Sequence, residues 1–207
     1  MSVNYIQQLL ESYNQKASER DSNQIQEWKV RERENFMKYL SDEKVTNLLE
    51  IGAGPGKDSQ FFNQQGLATF STDLSPEMVK ICRNKGLEAE VMNFSNLQFA
   101  NEQFDAVWAL NCLLHVPKQE LRDVLLEIKR VMNPGALFYM GVYGGYNHEG
   151  IWEEDFYRPK RFFSFFEANE LREILSTIFE IEYFNIISKE VIGRDLEFQS
   201  VILRKVN

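Results

Sequence analysis

Glu50-Ile51-Gly52-Ala53-Gly54-Pro55-Gly56 ends an apolar run, Val45–Ile51, and sets glycines at alternate positions. Glycine has no Cβ, so such a turn lets the backbone come against a ligand. A second apolar run, Ala68–Thr72, ends in Asp73. A carboxylate at that strand end accepts hydrogen bonds from both hydroxyls of a ribose, so turn and carboxylate together point to a nucleoside. The dinucleotide fingerprint G-x-G-x-x-G needs a glycine where this chain has Lys57, which disfavours a dehydrogenase.

Asn111 ends a further apolar run and is followed by Cys112-Leu113-Leu114-His115. An imidazole there suits a general base. A histidine among apolar neighbours equally suits a packed, hydrogen-bonded role, and both readings stay open. The stretch Tyr143–Phe163 is rich in aromatics and charge, and loops longer than about 12–15 residues are usually functional or disordered. Its aromatics oppose disorder. Tyr146, Trp152, Tyr157 and Arg161 are the candidates for a substrate-pocket wall, with a structural flap as the alternative. Metal chemistry is not expected, because the chain has only two histidines and two cysteines and no cluster with ligand spacing.

These residues need elements to position them. Ile6, Leu9, Leu10 and Tyr13 mark one helix face, and a polar break, Ser18–Asn23, separates it from a second amphipathic segment, Ile25–Leu40. From Val45 strands and helices alternate. Helices are expected at about Lys57–Gln65, from the Ser75-Pro76 cap to Gly86, over Lys118–Met132, and after a Ser164/Glu167 capping box. Strands are expected at Val45–Ile51, Ala68–Thr72, Leu87–Met92, Phe104–Leu110, Ala136–Val142, Glu180–Ser188 and Leu196–Leu203. The last two are joined by a short turn containing Gly193 and so run antiparallel. Alternation of this kind implies an α/β fold, a mostly parallel sheet between helical layers.

The 207 residues suit one domain, with 1–44 as a helical cap, 45–142 as the ligand-binding core, 143–166 as an inserted loop and 167–207 as a terminal helix and hairpin. A net charge of −8 opposes binding to a polyanion, so nucleic acid is a disfavoured partner. No leader-like N-terminus and no apolar run near the roughly 20 residues of a membrane span is present, so a membrane partner is not expected. Cys82 and Cys112 sit among apolar neighbours, which suits a reducing, cytoplasmic setting. Monomer and homodimer both remain open.

The glycine turn resembles motif I of the class I, Rossmann-like S-adenosylmethionine (SAM) methyltransferases. Other stretches resemble the same family in order: Thr72-Asp73-Leu74-Ser75-Pro76-Glu77-Met78, Phe104-Asp105-Ala106-Val107-Trp108, Leu114-His115-Val116 and Arg130-Val131-Met132-Asn133-Pro134-Gly135-Ala136. The resemblance implies a three-layer, seven-stranded sheet with one reversed strand, SAM as cofactor, S-adenosylhomocysteine (SAH) as product, and a small-molecule acceptor of the kind methylated in ubiquinone biosynthesis. Gly52, Ala53, Gly54 and Gly56 would then face the methionine part of SAM. Glu50 would hold the turn or reach the ligand's ammonium through water. Asp73, with Leu74 beside it, would take the ribose. Asn93 stands where the family often has Asp; it keeps a carbonyl acceptor for the adenine amino group but loses the charge. Phe94 would offer its N–H to the adenine ring. Asn111 joins the cofactor set at its strand end. Tyr13, in Tyr13-Asn14-x-x-Ala17, would close over SAM, or else pack in a core. A protein or RNA acceptor, and a non-catalytic SAM or SAH binder, are the alternatives.

Overall fold

The structure is a computed structural model and describes residues 2–206. Three helices come first, α1 (Ser2–Gln15), α2 (Ala17–Ser22) and α3 (Glu27–Asp42). There follow β1 (Asn47–Ile51), α4 (Lys57–Gln64), β2 (Ala68–Asp73), α5 (Pro76–Asn84), β3 (Glu88–Val91) and β4 (Phe104–Leu110). A single 3-10 turn, Leu113–His115, leads to α6 (Lys118–Val131) and β5 (Met132–Gly144). The rest comprises β6 (His148–Ile151), β7 (Phe162–Phe165), α7 (Ala168–Ser176), β8 (Glu180–Ile187), α8 (Lys189–Ile192) and β9 (Glu197–Arg204).

Seven strands form one sheet in the order β3-β2-β1-β4-β5-β9-β8. The first five run parallel, and β9 runs antiparallel to both its neighbours, the one reversed strand. The chain walks outward from β1 to β3 and then crosses back to β4. The crevice beyond the carboxyl ends of β1 and β4 is therefore a topological switch point, where open α/β sheets bind ligands.

The period of two along the strands separates two apolar layers. Val107, Ala109, Phe138 and Met140 face α6 and α7 through Leu121, Leu125, Ile128, Leu171 and Leu175. Ala106, Trp108, Leu137 and Tyr139 face α3 and α4 through Phe36, Leu40 and Phe62, with Trp108 stacked on Tyr139 at 3.9 Å between ring centroids. Ser75 caps α5 by accepting from the Met78 N–H, with Pro76 at the first helical position, as its sequence indicates.

Four local expectations are corrected. The polar break at 18–23 is largely helix: α2 buries only Ala17, so no apolar stripe announces it. The stretch 143–163 is not irregular throughout; β6 and β7 pair as an antiparallel ribbon, Glu149 opposite Ser164 and Ile151 opposite Phe162. Ser164 therefore lies in a strand, and α7 starts three residues later than the capping box suggests, after Glu167 at its N-cap. The connection before β9 holds a helical turn, α8, closed by Gly193 in the left-handed region at φ 73°.

The cap is tied down by polar contacts. Ser75 donates its hydroxyl to Asn14 Oδ1 at 2.5 Å, Lys85 pairs with Asp21 at 2.5 Å, and the Ser12 hydroxyl donates to the Pro159 carbonyl. Among the described residues no helix is long and apolar enough to cross a membrane, and no group of His, Cys, Asp and Glu is placed to hold a metal.

Candidate functional site

A cleft of about 910 Å³ opens over the carboxyl ends of β1, β2 and β4. Its floor is Gly52, Gly54, Asp73, Leu74, Asn111 and Cys112, and Asn93 and Phe94 stand at one end. Its roof is α1, whose Ile6, Leu9, Leu10 and Tyr13 point into it. The apolar stripe read from the sequence thus serves a lid rather than an interior core.

Asp73 is fixed by the turn it faces. One carboxylate oxygen accepts from the Gly54 N–H at 2.8 Å and the other from the Ser75 N–H at 2.8 Å. Each oxygen keeps a further acceptor site. Burial pushes the Asp73 carboxyl up, and the Ser75 and Gly54 amides and Arg20 pull it back.

The glycines divide by role. A Cβ on Gly54 would meet only Arg20 Nη2, at 3.9 Å, so the cleft stands open above it. A Cβ on Gly52 would lie 2.3 Å from Cys112 Cβ, which explains how β1 and β4 approach so closely at the switch point. Gly56 does not line the cleft. It begins α4 at φ 74°, and a Cβ there would strike Leu87 and Cys82, so it serves packing instead of the ligand approach expected of it. Ala53 is buried and bonds its N–H to the Thr72 carbonyl, also outside the cleft wall.

Glu50 is buried and faces away from the cleft. It accepts from the Ser59 N–H at 2.8 Å and from the Ser59 hydroxyl, holding the first turn of α4. Its bonds thus anchor the start of the helix that follows the glycine turn, and its side chain does not line the cleft. Burial, with Asp58 nearby, pushes its carboxyl well above the usual range. Asn93 accepts from the Ser95 N–H at 3.0 Å while lining the cleft, so it is both a turn residue and a cleft residue. Asn111 adopts φ 59°, uncommon outside glycine, and its Oδ1 is buried without a partner. A strained residue with an unpaired acceptor at a strand end is the kind of outlier that accompanies function.

A second cleft of about 660 Å³ adjoins the first, and Tyr13, Arg20, Asn111 and His115 line both. Trp152, Tyr157 and Arg161 stand in its wall together with Tyr143 and Phe163. Tyr146 does not: it is 41% exposed and packs outward on His148 and Phe165. The ribbon directs Trp152 inward and leaves Tyr146 in the turn before it, which the sequence spacing did not distinguish.

His115 sits where the clefts meet and is 5% exposed. Its Nδ1 lies 2.7 Å from the Phe162 carbonyl, which only accepts, so Nδ1 carries the proton. Its Nε2 then accepts from the Tyr13 hydroxyl at 2.7 Å. That hydroxyl in turn accepts from Arg161 at 3.0 Å, and Asp155 holds Arg161 from two sides at 2.9 and 2.8 Å. Burial first, and the Arg161 charge second, push the imidazole down to about 3. A ring so placed is neutral, fully bonded and weakly basic, which favours the packed reading over the general base. Arg161 is likewise a pin for Tyr13 rather than a free grip on a substrate.

Arg20 was not foreseen. Its guanidinium lies 5.2 Å from the Tyr13 ring centre, it donates to the Tyr157 hydroxyl at 3.1 Å, and its Nε has no partner. It lies in the polar segment 18–23, and only the folding of α2 against the site reveals it.

Residues 49–140 match the family profile described as "Methyltransferase domain". A demethylmenaquinone methyltransferase of Tropheryma whipplei is 26% identical over 132 residues, 62% of this chain and 49% of that protein. A probable tRNA methyltransferase 9B of Mus musculus is 33% identical over 100 residues, 47% of this chain and 22% of that protein. The matches thus span less than half of these two relatives. The crystal structure of Burkholderia thailandensis 1,6-didemethyltoxoflavin-N1-methyltransferase, with bound 1,6-didemethyltoxoflavin and S-adenosylhomocysteine, superposes with a TM-score of 0.75 at 19% identity, covering 99% of this chain and 90% of that one. The strand order and the superposition agree on a Rossmann-like methyltransferase fold, and the segment that matches the methyltransferase domain, residues 49–140, holds the glycine turn at the switch point.

Proposed function

We propose that the protein transfers the methyl group of SAM to a small-molecule acceptor, and that residues 1–207 act as one domain in doing so. The carrying observation is the pair of adjoining clefts, one beside Asp73 and the glycine turn and roofed by α1, the other walled by the β6–β7 ribbon. SAM supplies an electrophilic methyl on a sulfonium, which an in-line displacement transfers to leave SAH.

The chain's part is to bind and align. Asp73 holds the ribose through the acceptor sites left after it has fixed the turn. Asn93 and Phe94 flank the adenine end, with Leu74 beneath it. Gly52 and Gly54 expose the backbone to the methionine part. Arg20 suits its carboxylate, and the unpaired Asn111 Oδ1 suits its ammonium. The Tyr13 ring offers the sulfonium a cation–π contact worth about 0.5–2 kcal/mol. Held at fixed orientation by His115 and Arg161, that ring costs no reordering at the moment of reaction. Positioning of two reactants contributes up to roughly 7–11 kcal/mol, so a dedicated base is not required for an acceptor that ionises readily.

His115 in this account is a positioning residue. A cytoplasmic setting is part of the proposal and is supported by the free, buried Cys82 and Cys112. The acidic net charge of −8 favours a small acceptor over RNA. The similarity to a probable tRNA methyltransferase makes RNA the second reading. Radiolabelled SAM with cell extract, separated into metabolites, protein and RNA, distinguishes them. Label in the metabolite fraction is expected. Label in RNA alone moves the acceptor to the second reading, and no label with intact SAH binding favours a binding protein.

A further inference from the structure

The second cleft has a charge pattern that the methyl-transfer reaction does not explain. Arg20, Lys29, Arg161 and Arg194 all line it, and none of its lining residues is an aspartate or glutamate. The protein as a whole is acidic at −8, so this concentration of positive charge runs against its average. Arg161 is neutralised by Asp155 at 2.8 Å. Among the described residues the other three carry no ion pair. Asp58, which faces Lys29 from α4, is engaged by Arg33 at 3.1 Å and by the Trp108 ring N–H at 3.1 Å.

Cations without acidic partners around a partly enclosed cleft raise the positive potential there and favour an anion, most of all beside the half-buried Lys29. The effect shows at Lys29, whose ammonium is pushed down to about 8 by burial first and by the charges of Arg20 and Arg194 after it. The methionine carboxylate of SAM satisfies one cation, and Arg20, which lines both clefts, is placed for it. Lys29 and Arg194 remain, while the sulfonium adds a further positive charge. Much of the remaining wall is aromatic, with Tyr143, Trp152, Phe156 and Phe163 in it. We infer that the acceptor is a planar aromatic acid, its ring against these aromatic walls and its anionic substituent on Lys29 and Arg194.

This inference rests on the methyltransferase reading and names the acceptor's class. Lys29 lies near the start of α3 and Arg194 in the exposed connection after α8, so both can be changed without opening the apolar layers. The test uses protein saturated with SAH, which fills the cofactor cleft and occupies Arg20. Benzoate, phenyl phosphate and neutral benzamide are titrated while the fluorescence of Trp28 and Trp152 is followed. The anions are expected to bind at least about tenfold more tightly than benzamide, about 1.4 kcal/mol. That preference is expected to fall to about threefold or less in Arg194→Gln and in Lys29→Gln, with SAH affinity in both variants kept within about twofold. Tighter binding of benzoate than of phenyl phosphate identifies a carboxylate, and the reverse identifies a phosphate. Equal binding of charged and neutral probes, no binding of any anion, or a preference that survives both substitutions overturns the inference. Failure of the wild type to bind SAH would instead overturn the cofactor reading beneath it, so the two failures are distinguishable.

Discussion

His115 provides the sharpest test of how the site is built. A general base works best with a pKa near the operating pH. The structure puts this imidazole far below that, at about 3, because it is buried and faces the Arg161 guanidinium. An unfolded histidine titrates near 6.5. The folded value is depressed, so the native state binds the proton less tightly than the unfolded chain. Stability is therefore complete above pH 6.5 and is lost as the pH falls toward 3. From these two values the loss at pH 5 is about 2 kcal/mol relative to pH 8, at about 1.4 kcal/mol per unit. The buried carboxyls Glu50, Asp58 and Asp73 shift upward and act in the opposite sense, so total stability does not isolate the term. Two comparisons do. Denaturant unfolding of wild type and His115→Gln at pH 8 and pH 5 should show the variant losing about 2 kcal/mol less than the wild type over that interval. The chain has only two histidines, so imidazole proton resonances assigned with a His148→Gln variant follow His115 directly. No titration of His115 above about pH 4 is expected. A midpoint between roughly 5.5 and 7.5 would refute the assigned hydrogen-bond pattern and restore the histidine as a candidate base.

The remaining predictions concern neighbouring parts of the site. Gly56→Ala meets a left-handed φ and contacts to Leu87 and Cys82 under 3 Å, so it should cost about 2–4 kcal/mol of stability in denaturant melts while leaving SAH affinity within about threefold. A large loss of affinity without destabilisation would return Gly56 to the ligand. Asp155→Ala strips Arg161 of its buried partner and should destabilise by about 3–5 kcal/mol, with methyl transfer slowed as Tyr13 loosens. Unchanged unfolding midpoints would contradict that pin. Asn111→Gly relieves a left-handed backbone and should not destabilise the fold, yet it should weaken SAH binding at least about tenfold by removing the unpaired Oδ1. Wild-type affinity in that variant would remove Asn111 from the cofactor set.

The legible parts of the sequence were those written locally. Gly66 and Gly86 lie just past α4 and α5, Ser75-Pro76 opens α5, and the Leu121-to-Val131 stripe marks α6; each signal acts within a turn or two of chain. Asp73 and Gly54 could be paired on paper because the β1–turn–β2 unit fixes their proximity, and the 2.8 Å bond between them follows. What was hidden depends on distant chain meeting in space. Arg20 is one charge in a polar segment until α2 packs beside α5, and Arg194 comes from the far end of the chain. Gly52, Gly54 and Gly56 read alike in the motif, and only their neighbours separate close approach, open cleft and helix packing. Tyr146 and Trp152 carry similar aromatic signals, and only the folded chain separates the exposed Tyr146, before the ribbon, from Trp152 in the wall of the second cleft.

Binding of SAM in the cleft at the end of β2, with its ribose on Asp73, can be read by calorimetric titration. SAH and NADH are titrated into the wild type and Asp73→Ala. Micromolar SAH binding, about 8 kcal/mol, is expected in the wild type, with no NADH binding. Two hydrogen bonds to a charged acceptor are worth about 3–6 kcal/mol, so the variant should bind SAH at least about 100-fold more weakly. NADH binding without SAH binding, or SAH affinity untouched by the substitution, would contradict that placement of SAM.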